Sequence, residues 1–528
     1  MTSPAHHTMP LERPHAAHLL PALPRRLAWT RQDTYAFLII GLIAAVTRFF
    51  ALTGLTASGT PVFDEKHYVP QAWDMVQSQD NPLVGGIESN PGYGLVVHPP
   101  LGKRLLAIGE TLFGYTPLGW RVMTALFGVI TVLLVMAITR RLSGGSQVAF
   151  IAGLIAICDG VLLIGSRFGM LDIFQTTFVL AATWALIRDF QQVYARYYQA
   201  WRAKGGWGTS TFGPRAGFRW WRFAAGIFLG LALAVKWSGL YYIAFFGLAC
   251  VIADAWMRRR FGVKRPWVGA LLYDAVPAFA SLVILAVAVY AFSWRSWFAS
   301  ETAYSRHALS DGTVEQGSWL HLLPEPVAGW LYYHQSVLEF HASLTTSSGH
   351  SHPWDSKPWS WLVAGRPILY LSTSSTPCAI GECQRMVYLF GTPAIWWLTI
   401  PALLWSAWSI AVRRDYRFIP PLVGFAAGFL PWLAVYDRQM YFFYATALAP
   451  YLAILLALWA SQLIGRGRRL HSRWITKVAG RPLHAGTITV VVYLALVVAM
   501  FFYFGPILYG ARIPKAWFDS LMWLPSWR

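Results

Sequence analysis

Apolar runs long enough to cross a lipid bilayer recur along almost the whole sequence. A helix needs about 20 mostly apolar residues to span a hydrocarbon core of about 30 Å. The runs that approach this length are 35–53, 118–139, 147–165, 170–187, 222–236, 238–255, 269–292, 391–412, 418–436, 440–464 and 487–508. They predict an all-α polytopic membrane protein with about 11 transmembrane helices; the short run 222–236 is the least secure.

The charged residues support a membrane setting. They make up only 12% of the chain, whereas soluble domains carry about 25%. The formal net charge of +20 could indicate nucleic-acid binding. The basic residues nevertheless occur in short clusters between apolar runs, and the sequence contains no nucleic-acid motif. We therefore predict contact with membrane lipids and none with nucleic acid.

The basic clusters also predict the topology. With the N-terminus in the cytoplasm, every cluster falls on the cytoplasmic side, as the positive-inside rule requires. An odd number of spans then places the C-terminus outside. These clusters are Arg25–Arg26, Arg140–Arg141, Arg188–Arg219, Arg258–Arg265, Arg413–Arg417 and Arg466–Arg481.

Two long segments divide the predicted spans, and both fall on the outer side. The first outer segment is 54–117, and two short helices at 67–76 and 101–113 are expected to lie along the membrane surface. The second outer segment is 293–390, whose structure the sequence leaves uncertain. The predicted regions are a cytoplasmic tail (1–34), a transmembrane core including the first outer segment (35–292), the second outer segment, the C-terminal helices (391–508) and an outer tail (509–528).

Two motifs in the first outer segment could carry chemistry. Asp64 and Glu65 are adjacent, and neighbouring side chains diverge by about 100° on a helix. One carboxylate should therefore face a reaction and the other a supporting partner, although such a pair is also common in solvated loops. His98-Pro99-Pro100-Leu101-Gly102-Lys103 predicts an extended entry into a helix. Lys103 could additionally meet a phosphate.

Ionisable residues also lie inside or at the edges of the apolar runs. Such groups are costly at membrane depth and tend to face one another or a polar cavity. The predicted topology places four of them near the outer interface, which suggests an anionic ligand: Arg167, Asp172, Lys236 and Arg438. Two alternatives remain open, namely snorkelling to lipid headgroups and an ion pair between Arg167 and Asp172.

Several motifs, taken in order, resemble the protein O-mannosyltransferases of the GT-C superfamily. After the Asp-Glu pair, the resemblance rests on Leu118-Gly119-Trp120-Arg121, on Ser166-Arg167-Phe168-Gly169-Met170-Leu171-Asp172, on Lys236-Trp237-Ser238-Gly239 and on Arg438-Gln439-Met440-Tyr441-Phe442-Phe443-Tyr444. It covers about residues 35–508, and Trp354-Asp355-Ser356-Lys357 is similar to the bacterial branch. Fungal and animal relatives carry a β-trefoil insert for which this chain has no room, so acceptor selection stays open. They also have a His-His-Tyr run where this chain has Tyr441-Phe442-Phe443-Tyr444.

The resemblance implies a GT-C fold and a glycosyltransferase of the bacterial cytoplasmic membrane. Such an enzyme transfers mannose, with inversion, from polyprenyl-phosphate mannose to Ser or Thr of secreted proteins, during their translocation, at the outer face. Asp64 would be the general base, and Glu65 would position groups together with Arg121. The residues expected to bind the donor phosphate or the substrates are Arg438, Lys236, Arg121, Arg167, Asp172, His98 and Lys103.

The remaining metal and thiol candidates lie in the second outer segment. We predict no metal site and no cofactor, because no motif with metal-ligand spacing occurs. His341, His350 and His352 could bind a metal, but a polar loop face explains them equally simply. Cys378 and Cys383 are predicted to form a disulfide, because they fall on the oxidising side of the membrane.

Two other functions compete with protein mannosylation. A different GT-C transferase, acting on a cell-wall glycan or a lipid, would share the Asp-Glu pair and the basic site. A secondary transporter would also be polytopic, but the sequence has no inverted repeat and two long outer segments that transport does not require.

Overall fold

The protein is mainly helical. The computed structural model describes residues 27–79, 81, 83–88, 96–203, 211–379, 381–470, 480 and 482–528. Residues 1–26 of the predicted cytoplasmic tail lie outside the described residues, and so does most of the basic cluster Arg466–Arg481.

The first part of the chain forms helices whose ends follow local sequence signals. Thr30 and Asp33 make a capping box at the start of the first helix. A left-handed Gly144 ends the fourth. These helices are α1 (Arg31–Phe49), α2 (Glu65–Gln77), α3 (Pro100–Phe113), α4 (Pro117–Ser143), α5 (Ser146–Ile157), α6 (Gly160–Gly165), α7 (Asp172–Ala203), α8 (Trp220–Val235), α9 (Gly239–Arg260) and α10 (Pro266–Ser293).

The second part of the chain combines helices with short strands. Its helices are α11 (Arg295–Ala299), α12 (Glu325–Ser343), α13 (Pro358–Trp361), α14 (Pro393–Ala411), α15 (Ile419–Ala434), α16 (Ala449–Leu463), α17 (Ala485–Tyr503), α18 (Gly505–Tyr509) and α19 (Lys515–Leu521). Its strands are β1 (Ile368–Cys378), β2 (Gly381–Leu389), β3 (Arg469–Leu470), β4 (Leu483–His484) and β5 (Arg512–Pro514).

Each predicted span overlaps one or two helices, and the mainly helical membrane fold is confirmed, with a few short strands added. Within the described ranges, seven helical stretches are long and apolar enough to cross a membrane, and they contain α1, α4, α9, α10, α14, α15 and α17. The other predicted spans fall on α5, α8 and α16, which have 12, 16 and 15 residues, and on the 32-residue α7. The number of helices that cross the bilayer therefore stays a prediction.

Helix α16 lies at the centre of the bundle and is buried along almost its whole length. The hydroxyl of Tyr451 on this helix lies 2.8 Å from Thr183 Oγ1 on α7. Helix α15 approaches so closely that a Cβ on Gly424 would lie 2.3 Å from the Tyr451 ring. Only glycine fits at that position, because interiors are close-packed.

The second outer segment has a definite structure, which the sequence had left uncertain. It contains α11, α12, α13 and an antiparallel hairpin of β1 and β2. A disulfide joins Cys378 and Cys383 at the end of this hairpin, where Gly381 adopts a φ of +104°. Strand β5 of the C-terminal tail adds to β2, giving a three-stranded sheet in the order β1-β2-β5.

Both outer segments and the C-terminal tail meet at one end of the bundle. Arg385 Nε on β2 donates to the Gly510 carbonyl at 2.8 Å, and Arg385 Nη2 donates to the Gly54 carbonyl at 2.5 Å. At the other end, Arg140 of α4 pairs with Asp33 of α1 at 2.5 Å. The two outer segments and the C-terminal tail thus share one end of the bundle, and the side of the membrane on which that end lies stays a prediction.

Candidate functional site

A cavity of about 1080 Å³ lies where the two outer segments meet the helix bundle. Its walls come from the first outer segment, from α7 to α10, from α12 and from the chain that follows α15. Five of the predicted site residues line it, so the fold brings together positions that are far apart in sequence. They are Asp64, His98, Asp172, Lys236 and Arg438.

The two adjacent acids of the first outer segment have different surroundings. Asp64 lines the cavity, whereas Glu65 is fully buried behind it. Glu65 Oε1 and Oε2 each accept a hydrogen bond of 2.6 Å from the Arg121 guanidinium. The Glu65 carboxylate also accepts the backbone N–H of Gly169 at 2.7 Å and of Val62 at 3.1 Å. Such a bidentate, fully satisfied pair fixes the turn that presents Asp64.

The turn itself has an unusual backbone. Phe63 has a φ of +52°, in the left-handed region that residues with a Cβ rarely adopt. Its ring stacks on Tyr370 of β1 with 4.2 Å between ring centres. The Asp64 carbonyl then accepts the N–H groups of His67 and Tyr68, which starts α2. Packing and hydrogen bonds together hold the strained residue beside the cavity.

The environment of Asp64 favours a carboxyl that can exchange a proton near neutral pH. Burial raises its pKa to about 6, while Lys236 opposes the rise and Asp172 adds to it. Within the described part of the chain, the Asp64 carboxyl makes no hydrogen bond or ion pair. A half-buried, unpaired carboxylate that faces a cavity is suited to accept a proton from a bound group.

Lys236 is already paired. Its Nζ lies 2.8 Å and 2.9 Å from the two carboxylate oxygens of Asp172. Its backbone carbonyl accepts a hydrogen bond of 2.8 Å from Gln175 Nε2. The ammonium also lies 5.4 Å from the centre of the Phe443 ring. The positive charge of Lys236 is therefore largely compensated before any ligand enters.

Arg438 has a different environment. Its Nη2 donates to His341 Nδ1 at 3.0 Å, and its guanidinium lies 5.8 Å from the ring centres of Trp432 and Tyr444. Among the described residues, no carboxylate pairs with it and its Nε has no hydrogen-bond partner. Arg438 is thus the cavity cation with the greatest unmet capacity for an anion.

Three predicted ligands of the donor do not line the cavity. Arg121 pairs with Glu65, and the fully buried Lys103 pairs with Glu88 at 2.5 Å. Arg167 Nη1 donates to the carbonyls of Thr47, Arg48 and Phe50 at 2.6–3.0 Å. The suggested pairing of Arg167 with Asp172 is wrong, because Asp172 pairs with Lys236. Arg121 and Lys103 bury their charge in contacts within the first outer segment, whereas Arg167 holds the C-terminal end of α1.

Several residues of the cavity wall were not predicted to belong to the site, although His341 had been considered as a metal ligand. His334 and His341 lie seven residues apart on α12, which puts both on one face of the helix, and both line the cavity. That spacing was a usable signal. The described residues contain no group of three or more His, Cys, Asp or Glu side chains that could hold a metal ion.

Comparison with known proteins gives the family. Residues 97–212 match the family model described as dolichyl-phosphate-mannose-protein mannosyltransferase, and residues 326–527 match the C-terminal four TMM region of protein-O-mannosyltransferase. A polyprenol-phosphate-mannose–protein mannosyltransferase of Corynebacterium glutamicum is 61% identical over 97% of both chains. One of Mycobacterium tuberculosis is 45% identical over 93% of this chain and 91% of its own.

A solved structure has the same fold. It is the S. cerevisiae protein O-mannosyltransferase Pmt1-Pmt2 complex bound to the sugar donor, with a TM-score of 0.68 and 16% identity. The similarity covers 96% of this chain and 94% of the yeast chain. At such low identity it supports the GT-C fold alone, whereas the bacterial relatives, at 61% and 45% identity, show which family the chain belongs to. The chain belongs to the protein O-mannosyltransferase family of membrane glycosyltransferases.

Proposed function

We propose that the chain transfers mannose from polyprenyl-phosphate mannose to Ser or Thr hydroxyls of exported proteins. The bacterial relatives are named for this donor and for a protein acceptor. The observation that carries the proposal is the cavity itself, where an unpaired carboxyl, Asp64, and an unpaired cation, Arg438, line one space at the end of the bundle. A lipid-linked donor explains why such a site is built into membrane helices.

Asp64 is proposed as the general base. A Ser or Thr hydroxyl is a weak nucleophile, so a base must take its proton as the new bond forms. In a single displacement, the hydroxyl oxygen bonds to the anomeric carbon of mannose while the bond from that carbon to the phosphate oxygen breaks. The proton passes to Asp64, and polyprenyl phosphate leaves with the bonding electrons. One displacement inverts the anomeric configuration.

Arg438 is proposed as the main contact of the donor phosphate. A guanidinium matches phosphate geometry and keeps its charge at all relevant pH values. Lys236 would contribute less, since Asp172 already neutralises it. His98 would present a neutral ring, because burial and the nearby cations hold its pKa well below the usual range. Arg121 and Lys103 would act through the shape of the first outer segment, and Arg167 through the end of α1 that leads into it.

The site is proposed to face the outside of the bacterial cytoplasmic membrane. The support is the shared end of the bundle on which the cavity, both outer segments and the C-terminal tail lie, together with the sidedness of the basic clusters. On that side the enzyme would meet acceptor proteins during their translocation. The N-terminus would be cytoplasmic.

A transfer assay tests the proposal. The purified chain in lipid nanodiscs is incubated with labelled polyprenyl-phosphate mannose and a Ser/Thr-rich peptide, with an Ala-substituted peptide as the matched control. We expect α-linked label on the Ser/Thr peptide alone. Label that accumulates only in a glycan or glycolipid, when membrane extract is supplied, would instead favour the other class of GT-C transferase. Sugar uptake into vesicles without transfer would favour a transporter.

A further inference from the structure

We propose that His341 is a positioning residue, which orients the Arg438 guanidinium toward the donor phosphate. The inference rests on the proposed role of Arg438 in donor binding. His341 lies on α12 in the second outer segment, 97 residues before Arg438, and it lines the same cavity.

The hydrogen bonds of His341 fix its protonation pattern. Arginine can only donate, so the 3.0 Å contact from Arg438 Nη2 requires a lone pair on His341 Nδ1. The imidazole proton must then reside on Nε2. The His341 ring also lies against the first outer segment, with its centre 6.2 Å from that of the His98 ring. One ring thus connects Arg438 to the first outer segment, directly beside His98.

The neutral form of His341 is the stable one at this place. Burial and the positive charges of Arg438 and Lys236 lower its pKa to about 4, although the Val97 contact opposes the shift. A protonated ring would lose its acceptor at Nδ1 and repel Arg438. The contact is therefore maintained throughout the neutral pH range.

The other hydrogen bonds around Arg438 hold its backbone, whereas its guanidinium donates its hydrogen bond to His341 among the described residues. The Arg438 carbonyl accepts a hydrogen bond of 3.0 Å from Lys357 Nζ, and the next residue, Gln439, donates its N–H to the Leu344 carbonyl at 2.9 Å. The guanidinium itself has ring contacts and, among the described residues, the bond to His341. Ring contacts limit its position, but a hydrogen bond fixes its rotation.

Helix α12 is anchored strongly enough to serve as this support. His334, two turns before His341, is hydrogen-bonded through Nδ1 to the Trp330 carbonyl at 2.6 Å and through Nε2 to the Tyr290 hydroxyl at 2.5 Å. Trp237 Nε1 donates to the same hydroxyl at 2.9 Å. This chain of bonds ties α12 to α10 and to the loop that carries Lys236.

The experiment compares three replacements of His341 in the peptide transfer assay. Asn can place an oxygen near the position of Nδ1 and so accept from Arg438, whereas Gln places its amide near the position of Nε2 and loses the acceptor for Arg438. We expect His341→Ala and His341→Gln to raise the donor KM about tenfold, the effect of losing one hydrogen bond to a charged group. His341→Asn should stay within about threefold of the wild type, and the peptide KM should not change.

A double-mutant cycle separates positioning from independent binding. In the Arg438→Ala background, His341→Ala should have no further effect on the donor KM. His307→Ala, an exposed imidazole of the same segment, is the matched control. If His341→Ala lowers the thermal unfolding temperature, the comparison of Asn with Gln still decides, because both keep a polar side chain of similar size.

The possible outcomes distinguish the two proposals. An unchanged donor KM in Arg438→Ala would overturn the phosphate role of Arg438, and the inference with it. A raised KM in Arg438→Ala, combined with an additive effect of His341→Ala, would overturn the positioning role alone. A His341→Asn variant as impaired as His341→Ala would overturn it too.

Discussion

Buried charges lie at both ends of α7 and α8, neighbouring segments add further charges at each end, and the two groups differ in how they are balanced. At the end opposite the cavity, Arg219 and Arg222 lie between Asp189 and Asp254. Each arginine pairs with both aspartates, and the two Asp254 pairs and the Arg222–Asp189 pair measure 2.7–3.4 Å. At the cavity end, Lys236 and Asp172 form one pair, but Asp64 and Arg438 have no oppositely charged partner among the described residues.

The difference separates charges that are balanced within the fold from charges that we propose to be balanced by a ligand. Burying an ion costs several kcal/mol unless a partner compensates it. The opposite-end network satisfies this condition within the chain. The cavity satisfies it only in part, which is expected of a site whose missing partners are a phosphate and a hydroxyl proton. Burial alone does not mark function, whereas an incomplete balance beside a cavity does.

The largest effect should follow substitution of Asp64. Asp64→Asn should lower kcat by about 10²–10⁴-fold, because an amide cannot accept the proton of the acceptor hydroxyl. The donor KM should change little, since Arg438 is intact. The peptide transfer assay measures both, and Asp311→Asn, an exposed acid of the second outer segment, is the matched control. Transfer within about threefold of the wild type would remove Asp64 as the base.

The opposite-end network should respond in stability and not in chemistry. Asp254→Asn leaves two buried guanidinium groups short of a carboxylate and should cost about 3 kcal/mol of unfolding free energy. The kcat per folded molecule should stay near the wild-type value. Asp519→Asn breaks an exposed pair with Arg528 and should cost less than about 1 kcal/mol. Loss of transfer by Asp254→Asn at unchanged stability would erase the contrast between the two ends.

Local patterns predicted most of the fold, because each apolar run and each helix cap is decided by neighbouring residues. The helices at 67–76 and 101–113 were found in this way and are confirmed as α2 and α3. Pairings between distant residues were harder. Strand β5 pairs with β2, which lies more than a hundred residues earlier in the chain. The short segment Arg512–Pro514 has no sequence feature that identifies its partner strand.

The site shows the same limit. Five of the predicted site residues line the cavity, and four of them are acids or cations. Their partners could not be assigned, since Asp172 lies five residues from Arg167 yet pairs with Lys236, 64 residues away. Arg121 and Lys103 are cations of the kind that bind phosphate, but each is buried in an ion pair, with Glu65 and Glu88 respectively. Charge type is local information, whereas charge balance depends on the tertiary fold.

The pH dependence of transfer should sharpen the contrast at the cavity end. The base must be deprotonated to act, and burial raises the pKa of Asp64 to about 6. Below that value kcat should fall about tenfold per pH unit, whereas an ordinary carboxyl would hold its activity to about pH 4. The profile is measured between pH 5 and 8, with unfolding temperatures recorded at each pH as the control. A flat profile between pH 7 and 5 would contradict the assignment.

Substitution of Glu110 on α3 should have the smallest effect on transfer. It tests the contrast between the two ends directly, because Glu110 lacks a partner among the described residues but does not line the cavity. It is fully buried, and neither carboxylate oxygen has a hydrogen-bond partner among the described residues. Burial raises its pKa to about 8, and Asp74 adds to the shift. The stability it contributes is complete below the unfolded pKa and is lost as the pH rises through the folded value.

Glutamine does not titrate, so Glu110→Gln should gain stability relative to the wild type as the pH rises from 5 to 8.5, by up to about 1.4 kcal/mol for each unit by which the folded pKa exceeds the unfolded one. Thermal unfolding at the two pH values measures this, while transfer per folded molecule should be unchanged. The matched control is Glu339→Gln, an exposed acid on α12, which should show no such pH-dependent gain. If Glu110→Gln instead lowered kcat without altering stability, a missing partner alone would be enough to mark a functional charge. Proximity to the cavity, on which the contrast between the two ends depends, would then be unnecessary.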